Sequence, residues 1–133
     1  MTASFLIIED NAANMELARY LLTYSGYQVL LARDGQQGLE IALRERPDLI
    51  ICDLQMPGLD GYQVLEQLRS SPQGTQAIVI AVTAFSMPND RQKVLTAGFN
   101  GYISKPIEPE NFVNQIESFL LEHMRLPRPV PGH

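Results

Sequence analysis

Five short apolar runs alternate along the chain with stretches in which apolar residues recur every three or four positions. The runs are Phe5–Ile8, Tyr27–Leu31, Leu49–Cys52, Ile78–Val82 and Tyr102–Ser104. Runs of four or five residues rich in Ile, Val and Leu read as buried strands, and the spaced stretches read as amphipathic helices. Strand and helix alternating five times predicts an α/β fold, a parallel sheet covered on both faces, because each crossover helix must pack somewhere. The first helix is expected from about Asn11 to Gly26, with Met15, Ala18 and Leu22 on one stripe and Gly26 in the left-handed conformation that ends helices. Asp34 is placed to cap a second helix bearing Leu39, Ala42 and Leu43, which Pro47 stops. A turn-rich loop, Met56–Gly61, leads to a third helix with Val64, Leu65 and Leu68 that ends before Pro72. A fourth helix starts around Pro88 and ends at Gly98. The fifth starts near Pro109 and puts Phe112, Ile116, Phe119 and Leu120 on one face.

The polar residues that close these runs carry the chemistry. Glu9 and Asp10 follow the first run, Asp53 the third and Thr83 the fourth, while Lys105 follows the fifth. In a parallel sheet all these positions lie at one edge, where open α/β sheets bind ligands. Taken singly, Asp10 is most simply a helix N-cap, Thr83 a β-branched strand residue, Tyr102 an edge-strand aromatic and Lys105 a solvated lysine. Asp53 is harder to dismiss, because a charge emerging from a buried strand is costly unless paired or solvated. Two carboxylates about 4 Å apart repel by roughly 4 kcal/mol at an effective dielectric near 20, so Glu9, Asp10 and Asp53 together call for a divalent cation. The donors are all oxygens, and His123 and His133 lie far along the chain, which points to Mg²⁺, with Mn²⁺ as a substitute, over zinc or copper. Asp53 is also a plausible nucleophile for an aspartyl phosphate, with Lys105 and Thr83 available to the phosphoryl oxygens. The Lys105–Pro106 bond, if cis, aims the lysine.

Bulk properties narrow the setting. The 133 residues suffice for one domain with a real core. Lysine and arginine number 10 against 15 aspartates and glutamates, leaving a formal charge of −5. That charge repels nucleic acid and anionic membranes, so neither is expected as a partner. The single cysteine, Cys52, has no internal partner and reads as a buried thiol in a reducing compartment. There is neither an apolar stretch of about 20 residues nor a basic, cleavable leader, so a cytoplasmic location is expected.

Jointly these residues are far more specific than any one of them. From Ser4 to Met124 the chain resembles the receiver domain of two-component response regulators, of the single-domain type. The resemblance rests on Glu9-Asp10-Asn11, the loop from Asp53 to Gly61, Val82-Thr83-Ala84 and Lys105-Pro106. It implies a three-layer α/β/α fold, flavodoxin-like, with a five-stranded parallel sheet in the order 2-1-3-4-5. It further implies that Asp53 accepts a phosphoryl group from a histidine kinase or a histidine phosphotransfer protein. Glu9, Asp10, Asp53 and the backbone carbonyl of Gln55 then hold Mg²⁺, Lys105 contacts the phosphate, and Thr83 and Tyr102 form a switch pair. Output passes to a downstream protein through the face made by the fourth helix, fifth strand and fifth helix. The side chains of Gln55 and Phe85 stand where similar proteins tune phosphoryl lifetime, and Asn14 matches receivers of hybrid kinases and cell-cycle regulators.

Three rivals fit less well. A haloacid-dehalogenase-type phosphatase needs an aspartate two residues after its nucleophile, where Gln55 stands. A flavin or nucleotide module wants a glycine-rich loop after the first strand, and Asp10–Asn14 has no glycine. An adaptor without phosphotransfer has no need of the intact acidic site. On this reading the chain is a signalling phosphoacceptor whose only catalysis is its own Mg²⁺-dependent phosphorylation and dephosphorylation. The domain is expected over 1–124, followed over 125–133 by a tail whose alternate prolines leave no packable periodicity.

Overall fold

A computed structural model of the chain describes residues 3–74, 76–84 and 89–120. Ten elements alternate: β1 (Ser4–Ile8), α1 (Ala12–Tyr24), β2 (Gln28–Ala32), α2 (Gly35–Glu45), β3 (Leu49–Asp53), α3 (Gly61–Arg69), β4 (Ile78–Thr83), α4 (Asp90–Ala97), β5 (Gly101–Ser104) and α5 (Pro109–Glu117). The strands form one parallel sheet in the order β2-β1-β3-β4-β5. The alternation of apolar runs and helical stripes is therefore realised in full, in the expected order.

Each strand turns alternate side chains to opposite faces, and this divides the interior into two cores. Leu6, Ile8, Ile50, Cys52, Val79 and Ala81 pack on the side covered by α2, α3 and α4. Phe5, Ile7, Leu49, Ile51, Val82 and Ile103 pack on the other side with α1 and α5, where Leu22, Phe112 and Ile116 are fully buried. Truncating a buried phenylalanine such as Phe112 to alanine typically costs about 3–5 kcal/mol, so the α5 stripe is a major anchor of that core. Phe119, the third residue of the stripe, is only half-buried. It lies over Gly101, where an added Cβ would come within 2.3 Å of the Phe119 ring.

Local signals explain most element boundaries. Asn11, Asp34 and Asp60 each accept a backbone hydrogen bond from the residue three positions on, and Asp60 and Gln63 complete a capping box. Gly26 has φ 98°, and the bonds Gly26 N–H to Thr23 O and Tyr27 N–H to Leu22 O form a full Schellman motif. That motif claims Tyr27, so β2 starts at Gln28, one residue later than the apolar run suggests. Tyr27 instead turns edge-on against Phe5, with ring centroids 4.9 Å apart, and its hydroxyl donates to the Glu117 carboxylate. Arg46, held in the left-handed region at φ 47°, ends α2 just before Pro47. Gly98 closes α4 at φ 112°. The expected start of α4 at Pro88, the residue Phe85 and the expected domain limit after Met124 lie outside the described residues.

Candidate functional site

The C-terminal ends of β1, β3 and β5 bring three of the sequence-derived residues together. Strand alternation continued by one step puts Glu9, Asp53 and Lys105 on the face that Ile7, Ile51 and Ile103 occupy. The contacts agree. The Lys105 ammonium is 3.1 Å from Asp53 Oδ1 and 3.6 Å from Glu9 Oε1. Asp53 and Glu9 are almost fully buried, at 3 % and 5 % exposure, whereas Asp10 is exposed. Oxygens of Glu9, Asp10 and Asp53 all lie within 4.8 Å of one another.

Backbone bonds fix these positions. The Glu9 N–H donates to Ala32 O at 3.0 Å, and the Lys105 N–H to Thr83 O at 2.9 Å. The Lys105–Pro106 peptide is cis. The Asn11 N–H donates to Glu9 Oε2 at 3.2 Å and the Gln55 N–H to Asp53 Oδ1 at 3.3 Å. The cap of α1 is Asn11, whose Oδ1 accepts from the Asn14 N–H at 2.9 Å; Asp10 is not the cap. Its carboxylate is therefore free to face the other two acids. The capping preference of asparagine was the one signal in the sequence that could have assigned this.

Electrostatics show how crowded the site is. Burial, reinforced by the neighbouring Asp53 carboxyl, raises the pKa of Glu9 from an ordinary 4.5 to about 7, although Asn11 and Lys105 pull the other way. One lysine does not neutralise three carboxylates, so the site retains a place for further positive charge. An all-oxygen donor set of this size suits Mg²⁺, which binds through one or two carboxylates and keeps several waters. Cys52, fully buried beside Asp53, has its thiol pKa raised by the same burial, which makes it an inert packing group.

Thr83 and Tyr102 sit on the opposite face of the sheet edge. Ala81 pairs with Tyr102 and Thr83 with Ser104, and both Ala81 and Tyr102 belong to the core under α2–α4. Thr83 is buried and lines a cavity of about 300 Å³ with Gln55, Asp60, Tyr62 and Lys93. Tyr102 is half-buried, with the Arg91 guanidinium 5.9 Å from its ring centroid. Lys105 also lines a second cavity, about 270 Å³, with Asn14, Ala84, Pro106 and Ile107. Sequence reasoning had no means of finding Asp60 and Lys93 beside Thr83, because their approach depends on how α3 and α4 pack.

A family model for the response regulator receiver domain matches residues 5–117. The chain belongs to that family. It is therefore a phosphoacceptor module of two-component signalling, and receivers of this kind interact with histidine kinases and downstream effectors. Among its relatives is the polar-differentiation response regulator DivK of Brucella ovis, 41 % identical over 120 residues, covering 90 % of this chain and 98 % of the relative. Among solved structures, the chemotaxis protein CheY4 of Vibrio cholerae superposes with a TM-score of 0.84 at 27 % identity, covering 90 % of this chain and all of that one. The receiver domain of a Pseudomonas aeruginosa sensor histidine kinase gives a TM-score of 0.80 at 33 % identity, covering 90 % and 98 %. That structure has a magnesium ion coordinated in its active-site cleft. No helix among the described residues of this receiver is long and apolar enough to cross a membrane.

Proposed function

We propose that Asp53 is the residue phosphorylated in this receiver, by a histidine kinase or a histidine phosphotransfer protein. The observation that carries the reading is the convergence of Glu9, Asp10 and Lys105 on the buried Asp53 carboxylate. An Asp53 oxygen forms the new P–O bond while the donor's P–N bond breaks and its electron pair leaves with the imidazole. Lys105, already 3.1 Å from Asp53 Oδ1, turns its ammonium to the transferred phosphoryl oxygens, whose charge it offsets. Glu9, Asp10, Asp53 and the backbone carbonyl of Gln55 would hold Mg²⁺, or Mn²⁺ in its place, and such an ion would supply positive charge beside the carboxylates. The only catalysis is of this domain's own phosphorylation and dephosphorylation.

A phosphoryl group adds about −1.5 to −2 charge. The Thr83 hydroxyl turns from the α3–α4 side toward that charge, and the Tyr102 ring, on the same face as Thr83, takes up the space released. The resulting change of the α4–β5–α5 face is read by a downstream protein. Moving such an equilibrium from 1:99 to 99:1 takes about 5.5 kcal/mol, which two or three charge-assisted hydrogen bonds at about 1.5–3 kcal/mol each can supply. The negative charge and the lack of an apolar span support a cytoplasmic protein that contacts neither nucleic acid nor membrane. The test is incubation with a small phosphodonor. Labelling is expected for the wild type with Mg²⁺, and none with chelator or in Asp53→Asn; equal labelling in all three sinks the assignment.

A further inference from the structure

Two cations of α4 each lie over a tyrosine of a neighbouring element. The Lys93 ammonium is 5.1 Å from the centroid of the Tyr62 ring on α3, and the Arg91 guanidinium is 5.9 Å from that of Tyr102 on β5. Both separations fall in the range over which a ring face attracts a cation. Two residues apart on a helix they point about 200° away from each other around the axis, so α4 reaches α3 with one and β5 with the other. The helix is fixed elsewhere too. Val94 is buried in the core beneath it. Arg69, the last residue of α3, donates to Gly98 O, the C-cap of α4, at 3.2 Å, to Asn100 Oδ1 at 2.9 Å and to Ala77 O at 2.6 Å.

With α4 held in this way, what can move against Arg91 is the ring it covers. Tyr62 is itself wedged edge-on against Phe99, with ring centroids 5.7 Å apart. Tyr102 has more room. It is half-buried, and its partner across the strands, Ala81, is small. Two residues further along β4 and on the same face, Thr83 lines the cavity of about 300 Å³. Ala81 and Thr83 are buried, whereas Arg91 is exposed. The Tyr102 ring thus stands between a cation on its solvent side and Thr83 on its inner side.

We propose that Arg91 is a positioning residue for Tyr102, holding the ring at the α4 rim and away from Thr83. A ring that moves inward leaves the guanidinium, so Arg91 lowers the population of the inward ring before any phosphoryl group arrives. An exposed cation–π contact shifts such an equilibrium by about two- to fivefold, and a planar guanidinium stacks on a ring as an ammonium does not. The signalling consequence rests on the proposed phosphorylation of Asp53; the hold on the ring is a property of the unphosphorylated protein.

Relaxation dispersion on isotope-labelled tyrosine rings of the unphosphorylated full chain reads minor ring positions. Wild type is compared with Arg91→Met, Arg91→Lys and Lys93→Met, the last of which removes an equal charge from the same helix but from over Tyr62. The minor population of Tyr102 is expected to rise about two- to fivefold in Arg91→Met, less in Arg91→Lys, and to stay unchanged in Lys93→Met. With phosphodonor and Mg²⁺, the ring shifts of that minor state are expected to become the main Tyr102 signal. An unchanged population in Arg91→Met overturns the proposal. So does an equal rise in Lys93→Met, which shows a general effect of charge or of a loosened helix, and so does a minor state whose shifts differ from those of the phosphorylated form. If Asp53 fails to label in the wild type, the dispersion result still decides the hold of Arg91, so the two ideas fail separately.

Discussion

Replacing Glu9 by glutamine removes a charge that the folded protein holds at a cost. In the fold, burial and the adjacent Asp53 raise the Glu9 pKa from 4.5 to about 7. Below about pH 4.5 both folded and unfolded chains carry the proton, and Glu9 imposes no penalty. Between about pH 4.5 and 7 the unfolded chain loses the proton while the folded chain keeps it. Stability therefore falls as pH rises through this window and levels off above it. At about 1.4 kcal/mol for each tenfold change in the acid constant, the full loss is roughly 3 kcal/mol. Glutamine keeps the size and the hydrogen-bonding carbonyl without the titration. In chelator, urea unfolding followed by circular dichroism should show wild type losing about 3 kcal/mol relative to Glu9→Gln between acid and about pH 8, a midpoint displacement of about 1–2 M. Saturating Mg²⁺ should shrink that loss, because a cation favours the ionised carboxylate. A wild-type minus Glu9→Gln difference that is flat in pH, or that grows in favour of wild type with rising pH, refutes the crowded-carboxylate picture.

The other predictions concern the neighbouring cation and two helix ends. Lys105→Met removes the ammonium 3.1 Å from Asp53; Mg²⁺ affinity by titration calorimetry is expected to tighten about tenfold, a fraction of the bare lysine–aspartate attraction of about 5 kcal/mol at an effective dielectric near 20, while phosphodonor labelling slows. Unchanged affinity would mean that the lysine does not share the site with the metal. Arg46→Gly relieves a left-handed backbone at φ 47° and is expected to add about 1 kcal/mol of stability, read as a rise of about 3–5 °C in Tm. Asp60→Ala breaks the capping box of α3 and should cost about 1 kcal/mol in urea unfolding.

The strands, the helical stripes and the residues that end them were legible because burial imposes a period on the chain. A strand buried on both faces has to read Leu49-Ile50-Ile51-Cys52, and a residue following it has to emerge at the sheet edge. That logic alone brought Glu9, Asp53 and Lys105 to one place, and side-chain parity explains why they meet. The helix ends at Gly26, Asp34 and Gly98 were legible for a related reason: the backbone conformation or the unpaired N–H groups there favour particular residue types.

Periodicity says which face a residue takes, and nothing about how closely two elements approach. So Tyr27, which continues an apolar run, leaves the strand for a helix cap, drawn by Phe5 and Glu117. Asp10 gives up the cap to Asn11, a choice between adjacent residues that turns on backbone angles. The raised pKa of Glu9 depends on an acid 44 positions away and on the solvent that packing excludes. The grip of Arg69 on Gly98 and Asn100 has no local signature at all, since its partners are carbonyls of loops that only the assembled sheet brings together. Residue type and spacing thus decided which groups reach the acidic edge of the sheet; three-dimensional packing decided the charge state of Glu9 and which loops Arg69 joins, because both depend on distances that no linear pattern encodes.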